Sequence, residues 1–287
     1  MARRRSGRGV PTHRFPVLDH PGPLPIAHRG GAKEAPENTV AAFEHARRLG
    51  YGYLETDVHL SADGVVVVIH DPVLDRVADR PGRVQELQWS QLRGARVGGS
   101  EPIPRLDEVL ASWPELRWNI DAKHDSVVGP LVDLLRRAAA LDRVCVTAFS
   151  DRRIAIARRL AGPRLCTSTG PTATTALRLA SLAPGVLPLG GGPPGAAWAP
   201  AGAVQVPLRW GTVPVADRRF ITAAHRAGLA VHVWTIDDGA VMDRLLDLGV
   251  DGIMTDRPTM LRDVLRRRRE WDGPPPDSTS RELPLDE

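Results

Sequence analysis

The chain has 287 residues, 42% of them hydrophobic and 25% charged, with a formal net charge of +4 and a pI near 9.6. That balance excludes a disordered or membrane-embedded protein, and the length allows one large domain or two small ones with a sizeable core. Basic charge gathers at the ends, in "MARRRSGRG" and in "RRRRE" at 266–270, without interleaved aromatic residues, so it reads as solvated tails and not as a nucleic-acid footprint.

Residues 1–22, rich in Arg, Gly and Pro, are expected to form a flexible basic arm, and 270–287 a disordered tail, leaving a domain over 23–269. No apolar leader follows the first arginines and no run of 18 apolar residues occurs, which predicts a cytoplasmic protein without stable membrane insertion. Within the domain, "LPIAHRG" reads as a strand and "NTVAAFEHARRLG" as a helix. "YGYLETDVHL" and "GVVVVIHD" then read as two strands joined by a tight turn. Residues 71–105 form an insertion, a candidate lid or specificity element.

The alternation then resumes. Strands "LRWNIDAK", "DRVCVTAFS", "RLCTST", "GAVQVPL", "AVHVWTID" and "VDGIMTD" each precede a segment of helical periodicity, and the Gly/Pro stretch 183–200 is a connector. Eight strand–helix steps over some 245 residues predict an α/β fold closed as a (β/α)8 TIM barrel, with a small insertion after the second strand. No glycine-rich dinucleotide fingerprint follows the first strand. The two cysteines, Cys145 and Cys166, fall on neighbouring predicted strands and are expected to be reduced thiols.

Alternation along a strand puts Glu55 and Asp57 on one side, and Asp121 and Lys123 repeat the arrangement on the next strand. Clustered carboxylates are costly unless positive charge joins them, and three oxygen ligands suit one divalent cation, Mg²⁺ or Ca²⁺. His59, on the same side, reads either as a softer ligand or as a structural residue. His28 and His70 each end a strand beside the carboxylates and form a candidate acid/base pair. Arg29 and Lys123 suit an anionic oxygen, so the combination points to phosphoryl chemistry at a phosphodiester.

The strings "AHRGGAKEAPENTVAAFEHA", "LETDVHLSADGVVVVIHD", "NIDAK", "VHVWTID" and "GVDGIMTDRP" together resemble the glycerophosphodiester phosphodiesterase family, in order and across about residues 24–266. The resemblance implies a TIM barrel and metal-dependent hydrolysis of glycerophosphodiesters to glycerol 3-phosphate and an alcohol. It places the family's catalytic histidines on His28 and His70, and its paired metal ligands on Glu55 and Asp57. Phosphate contacts fall on Arg29 and Lys123, and Glu37 and Asn38 match its "PEN" string, after which Thr39 could simply cap the next helix.

Two positions depart from the family's usual pattern. Asp121 stands where the third ligand is commonly glutamate, and Asp237 stands where asparagine is usual, putting negative charge near the substrate's alcohol end. Trp234 reads as stacking on the glycerol, capping the pocket, or packing. The polar, arginine-rich insertion favours small, deacylated substrates over a lysophospholipid or phosphoinositol-type headgroup. A non-catalytic phosphate-binding barrel is the reading from another class. Sequence leaves open the cation, the alcohol, the oligomeric state, and whether water or the glycerol 2-hydroxyl attacks.

Overall fold

The computed structural model describes residues 14–182 and 200–273. The strands are β1 (Leu24–Ala27), β2 (Tyr53–Leu60), β3 (Arg117–Ala122), β4 (Val144–Thr147), β5 (Cys166–Thr167), β6 (Ala203–Pro207), β7 (Ala230–Trp234) and β8 (Gly252–Thr255). They pair in parallel in chain order, and β8 returns to β1, so the sheet curls into the expected barrel. Its seam lies between β5 and β6, where a single bridge, Ser168 to Ala203, joins the edges. Two backbone bonds reinforce it, Gly202 N–H to Thr167 O and Thr169 N–H to Ala203 O, each 2.9 Å.

The periodicity of two sorts the side chains. Leu54, Trp118, Ile120, Val144, Val204 and Val231 point outward into one large core shared with the helices. Leu24, Ile26, Tyr53, Cys145, Cys166, Ala203 and Ala230 point inward and fill the lower barrel. Above this apolar floor the inward positions turn polar, so the barrel's charge is confined to the C-terminal rim, where such folds do their chemistry.

The outer helices are α1 (Val40–Arg48), α2 (Leu106–Ser112), α3 (Asp125–Arg137), α4 (Asp151–Ala161), α5 (Pro171–Leu182), α6 (Arg218–Arg226), α7 (Gly239–Leu248) and α8 (Pro258–Arg268). Thr39, Ser150, Asp217 and Asp238 cap four of them by accepting a backbone N–H. Helix α2 has no such side-chain cap and spans only seven residues, too few turns to stand out beside the polar insertion.

Just ahead of the insertion, a three-residue strand, Val66–Val68, pairs antiparallel with the end of β2. Val66 and Val68 face the main core, whereas Val67 and Ile69 face a small second core with Leu74, Val84, Leu92 and Ile103. Burial on both faces is why this segment reads as an unbroken apolar run.

The domain is wider than the sequence suggests. Residues 14–22, assigned to the flexible arm, include Phe15, Val17 and Leu18, which are buried against the barrel floor. Arg117 holds this turn by donating to the Asp19 carbonyl. At the other end, Trp271 packs edge-on against Tyr51 with centroids 5.3 Å apart, so the ordered chain runs past 269. Residues 1–13, the 183–199 part of the connector, and 274–287 lie outside the described residues. Among the described residues, no helix is long and apolar enough to cross a membrane.

Candidate active site

Strand β2 carries Glu55, Asp57 and His59 inward, and register sets Asp57 beside Asp121 and Glu55 beside Asn119. Lys123, just past β3, places Nζ 2.7 Å from Asp57 Oδ1 and 2.6 Å from Asp121 Oδ2. Burial opposes its charge, yet the two carboxylates outweigh that and raise the ammonium's pKa. Asp57 is likewise buried, but Lys123 and Arg29 pull its pKa down to about 2. Glu55 fares differently: burial and neighbouring Asp57 push it up to about 7 against the weaker pull of His28 and Lys123.

The loop after β1 supplies the rest. Arg29 donates its backbone N–H to Glu55 Oε2 at 2.9 Å, holds Nε 3.2 Å from Asp57 Oδ2, and donates Nη1 to Glu37 Oε1 at 3.0 Å. Asn38 donates Nδ2 to Asp57 Oδ2 at 2.9 Å and accepts from Thr56 Oγ1 at 2.8 Å. Both Arg29 and Asn38 sit in the left-handed region, with φ of 53° and 58°, and are joined by the bond from Asn38 N–H to Arg29 O. Non-glycine residues adopt that conformation at a cost, here met at the residues that grip the carboxylates.

The turn between them depends on Gly30, whose φ is 82° and where an added Cβ would lie 2.7 Å from Ala42 Cβ. Gly30→Ala is therefore expected to lower stability by about 2 kcal/mol or more, through strain and forced displacement of α1. Thermal unfolding of the variant tests this, and an unchanged midpoint would refute the tight approach.

The two histidines are held alike. His28 donates Nδ1–H to Asp256 Oδ1 at 2.6 Å, and His70 donates Nδ1–H to Asp71 Oδ1 at 2.5 Å. Each Nδ1 is thus occupied, leaving Nε2 for chemistry, and His28 Nε2 stands 3.8 Å from Glu55 Oε2. Burial disfavours the charged form of His28, but Glu55 and Asp256 together raise its pKa. Asp71 and Glu37 are further bridged by Arg76, at 2.5 and 2.7 Å.

Neither Asp71 nor Asp256 has a role legible in the sequence as first met. Asp71 adjoins His70 in the chain and was findable; Asp256 lies 228 residues from His28, and no local pattern joins them. His59 does not line the cavity and takes the structural place. It donates Nε2–H to the His70 carbonyl at 3.1 Å, and burial keeps its pKa low.

The predicted ligands Glu55, Asp57 and Asp121 all line one cavity of about 590 Å³, together with His28, His70, Arg29, Lys123 and Trp234. Among the described residues no three His, Cys, Asp or Glu side chains are gathered as a ready ligand cluster, and Lys123 spans Asp57 and Asp121. The donors nonetheless fit a hard cation. Asp121 Oδ1 is buried with no hydrogen-bond partner, and the raised pKa of Glu55 marks negative charge not fully compensated.

Two expectations change. Asp237 does not reach the substrate cavity: it accepts from Lys33 Nζ at 2.8 Å, from Thr255 Oγ1 and from the Asp256 N–H, so it braces the end of β8 and Asp256 just beyond it. The insertion 71–105 contributes nothing to the cavity lining either. The far wall comes instead from α5 and from a hairpin after β6, Arg209–Trp210 paired with Val213–Pro214. Trp234 meets Phe149 edge-on at 5.5 Å, forming the inner end of that wall.

A barrel whose C-terminal rim presents two carboxylate-anchored histidines beside an arginine, a lysine and three acids defines a class, the TIM-barrel phosphodiesterases. The model of the glycerophosphoryl diester phosphodiesterase family matches residues 28–260, and the chain belongs to that family. It is 41% identical over 272 residues to the "Probable glycerophosphodiester phosphodiesterase 2" of Mycobacterium tuberculosis, covering 93% of this chain and 99% of that protein. It is 29% identical over 265 residues to the glycerophosphodiester phosphodiesterase of Caldanaerobacter subterraneus, covering 85% and 98%. A crystal structure of glycerophosphodiester phosphodiesterase from Agrobacterium tumefaciens superposes with a TM-score of 0.69 at 26% identity, over 85% of this chain and 99% of the other. The protein is accordingly an enzyme, a phosphoric diester hydrolase, and not a non-catalytic barrel.

Proposed function

We propose that the chain hydrolyses glycerophosphodiesters to glycerol 3-phosphate and an alcohol, with His28 and His70 as the acid/base pair and a divalent cation held by Glu55, Asp57 and Asp121. The observation that carries this reading is the matched anchoring of the two imidazoles through Nδ1, at one rim with the charged cluster. Mg²⁺ or Ca²⁺ bound there would polarise a phosphoryl oxygen and make the attacking hydroxyl a better nucleophile.

The protein's own groups divide the remaining work. Arg29 and Lys123 orient the phosphate and offset charge that grows on its oxygens as the nucleophile adds. His28, between Glu55 and Asp256, is favoured in its protonated form and donates to the leaving alcohol oxygen. His70, held by Asp71, takes the proton from the attacking hydroxyl, whether that belongs to water or to the glycerol 2-position. The polar rim and apolar floor hold the diester above a dry core.

A cytoplasmic setting belongs to the same reading, supported by two thiols side by side in the barrel interior, Cys145 and Cys166. The substrate partner is a small molecule. Among the C-terminal arginines Arg268 is engaged by Asp243, Asp247 and Glu270, which leaves it poorly placed for nucleic acid.

The test is release of glycerol 3-phosphate from glycerophosphoethanolamine, glycerophosphocholine and glycerophosphoinositol, measured with chelator and after Mg²⁺ or Ca²⁺ is returned. Release that stops with chelator and resumes with a cation is expected. Undiminished release in chelator would remove the cation from the reading, and no release from any of the three would remove the substrate class.

A further inference from the structure

His28 and His70 both line the cavity, but what holds the carboxylate behind each ring differs. Behind His28, Asp256 directly follows β8 and its N–H is bound by Asp237, so the barrel itself fixes it. Behind His70 the carboxylate belongs to Asp71, which lies outside every strand of the fold. A carboxylate on a loop orients an imidazole only if something orients the carboxylate.

That support comes from Arg76. Its Nε donates to Asp71 Oδ2 at 2.5 Å while Asp71 Oδ1 accepts from His70, so the carboxylate is gripped by both oxygens. The other edge of the guanidinium is bidentate on Glu37, with Nη2 2.7 Å from Oε1 and Nη1 3.0 Å from Oε2. Glu37 also accepts from Arg29, so one planar fork ties the back of His70 to the loop after β1. Burial opposes the charge on Asp71, yet Arg76 and His70 lower its pKa and keep it a carboxylate. Each of the three Arg76 nitrogens donates to a protein oxygen, and neither Arg76, Asp71 nor Glu37 lines the cavity, so this arginine does not reach the substrate.

A half-exposed arginine on a mobile stem would contribute little. Here the backbone beneath it is pinned. Leu74 is fully buried in the insertion's small core, and Val77 and Ala78 pack against that core. The Ala78 N–H bonds the Leu74 carbonyl at 2.9 Å and the Gly98 N–H bonds the Val77 carbonyl at 3.0 Å. Arg76 therefore rides on a single fixed turn, with an apolar anchor on either side.

We propose that Arg76 is a positioning residue for the reaction, and that the insertion serves the site by presenting this one guanidinium to Asp71 and so fixing the ring of His70. This rests on the reading above in which His70 takes the proton from the attacking hydroxyl. Misplacing a reacting group by about 1 Å costs up to about a hundredfold in rate, and the loss falls on kcat because no contact with substrate is removed. Lysine is no substitute, since an ammonium lacks the planar fork that spans Asp71 and Glu37 together.

The experiment assays Arg76→Ala and Arg76→Lys on glycerophosphoethanolamine with the cation present, beside Arg83→Ala, in which an exposed insertion arginine facing Glu86 is removed. Both Arg76 variants should lose about tenfold or more in kcat with KM changed by less than about threefold, and Arg83→Ala should behave as the wild type. A groove of about 390 Å³ bordered by Arg76, Glu37, Lys33 and Val97 admits a small ion from solvent. Guanidinium chloride at low millimolar concentration should therefore restore kcat of Arg76→Ala by about fivefold or more, where sodium or methylammonium chloride does not. Adding Arg76→Ala to His70→Ala should cost nothing further, because the arginine acts only through that imidazole. Turnover within about twofold of wild type in both Arg76 variants overturns the proposal, as does a loss carried by KM or a double variant whose losses multiply. A lowered thermal midpoint with no rescue by guanidinium leaves Arg76 a purely structural residue and also overturns it. Near-normal turnover in His70→Ala instead sinks the underlying reading, an outcome separate from anything the Arg76 variants show.

Discussion

His28→Ala and His70→Ala are each expected to lower kcat on glycerophosphoethanolamine by at least about a hundredfold, with little change in the thermal midpoint. The imidazoles sit at the cavity lip, so truncation removes a proton carrier without opening the core. The pair should also be non-additive, since a reaction that has lost its acid gains little from its base. Asp256→Asn separates positioning from chemistry. The amide can still meet Nδ1, but it no longer stabilises the imidazolium, so kcat should fall tenfold or more and the alkaline limb of the pH profile should move to lower pH. A purely structural aspartate would leave that profile in place. Near-normal turnover in both histidine variants would dismiss the acid/base assignment.

The second large effect is at Glu55. The residue is 4% exposed beside Asp57, and burial and that neighbour raise its pKa to about 7. Glu55→Gln removes the charge while keeping the shape. In chelator the variant should unfold at a higher temperature than the wild type, by roughly 5 °C for a domain of this size, because buried repulsion has gone. Hydrolysis, by contrast, should be lost. Adding Mg²⁺ or Ca²⁺ should raise the wild-type midpoint and leave that of Glu55→Gln nearly unmoved. A cation-independent midpoint in the wild type would detach Glu55 from any metal role, whatever the activity.

Much of this site was visible in the chain because strand alternation is rigid. Once "LETDV" is a strand, Leu54, Thr56 and Val58 must face the helices, and Glu55 and Asp57 must share the interior. The same logic placed Asp121 and Lys123 without any structure. Pairings across long separations were not visible: His28 with Asp256, or Lys33 with Asp237, depend on β8 closing against β1. The apolar wall was hidden for another reason. Leu179 on α5 and Val213 in the hairpin look like core residues in the sequence, and only the fold leaves them uncovered. The insertion misled in the opposite sense, since its place after the second strand suggested a lid, whereas its apolar residues form a private core with Val67 and Ile69. Phe15, Val17 and Leu18 were lost among arginines and prolines, where three apolar residues in four positions carry no period.

The place where those three residues dock also bears on how the molecule fails. A methyl group added at Gly202 would lie 2.7 Å from Phe15 and 2.9 Å from Leu18, so both press on the chain just ahead of β6. That is the junction at which the cylinder is closed by one bridge instead of a full ladder. The N-terminal turn therefore acts as a clasp across the weakest stave. A protein started at residue 23 would be expected to spring at this joint first, beneath the greasy half of the mouth and away from the charged half.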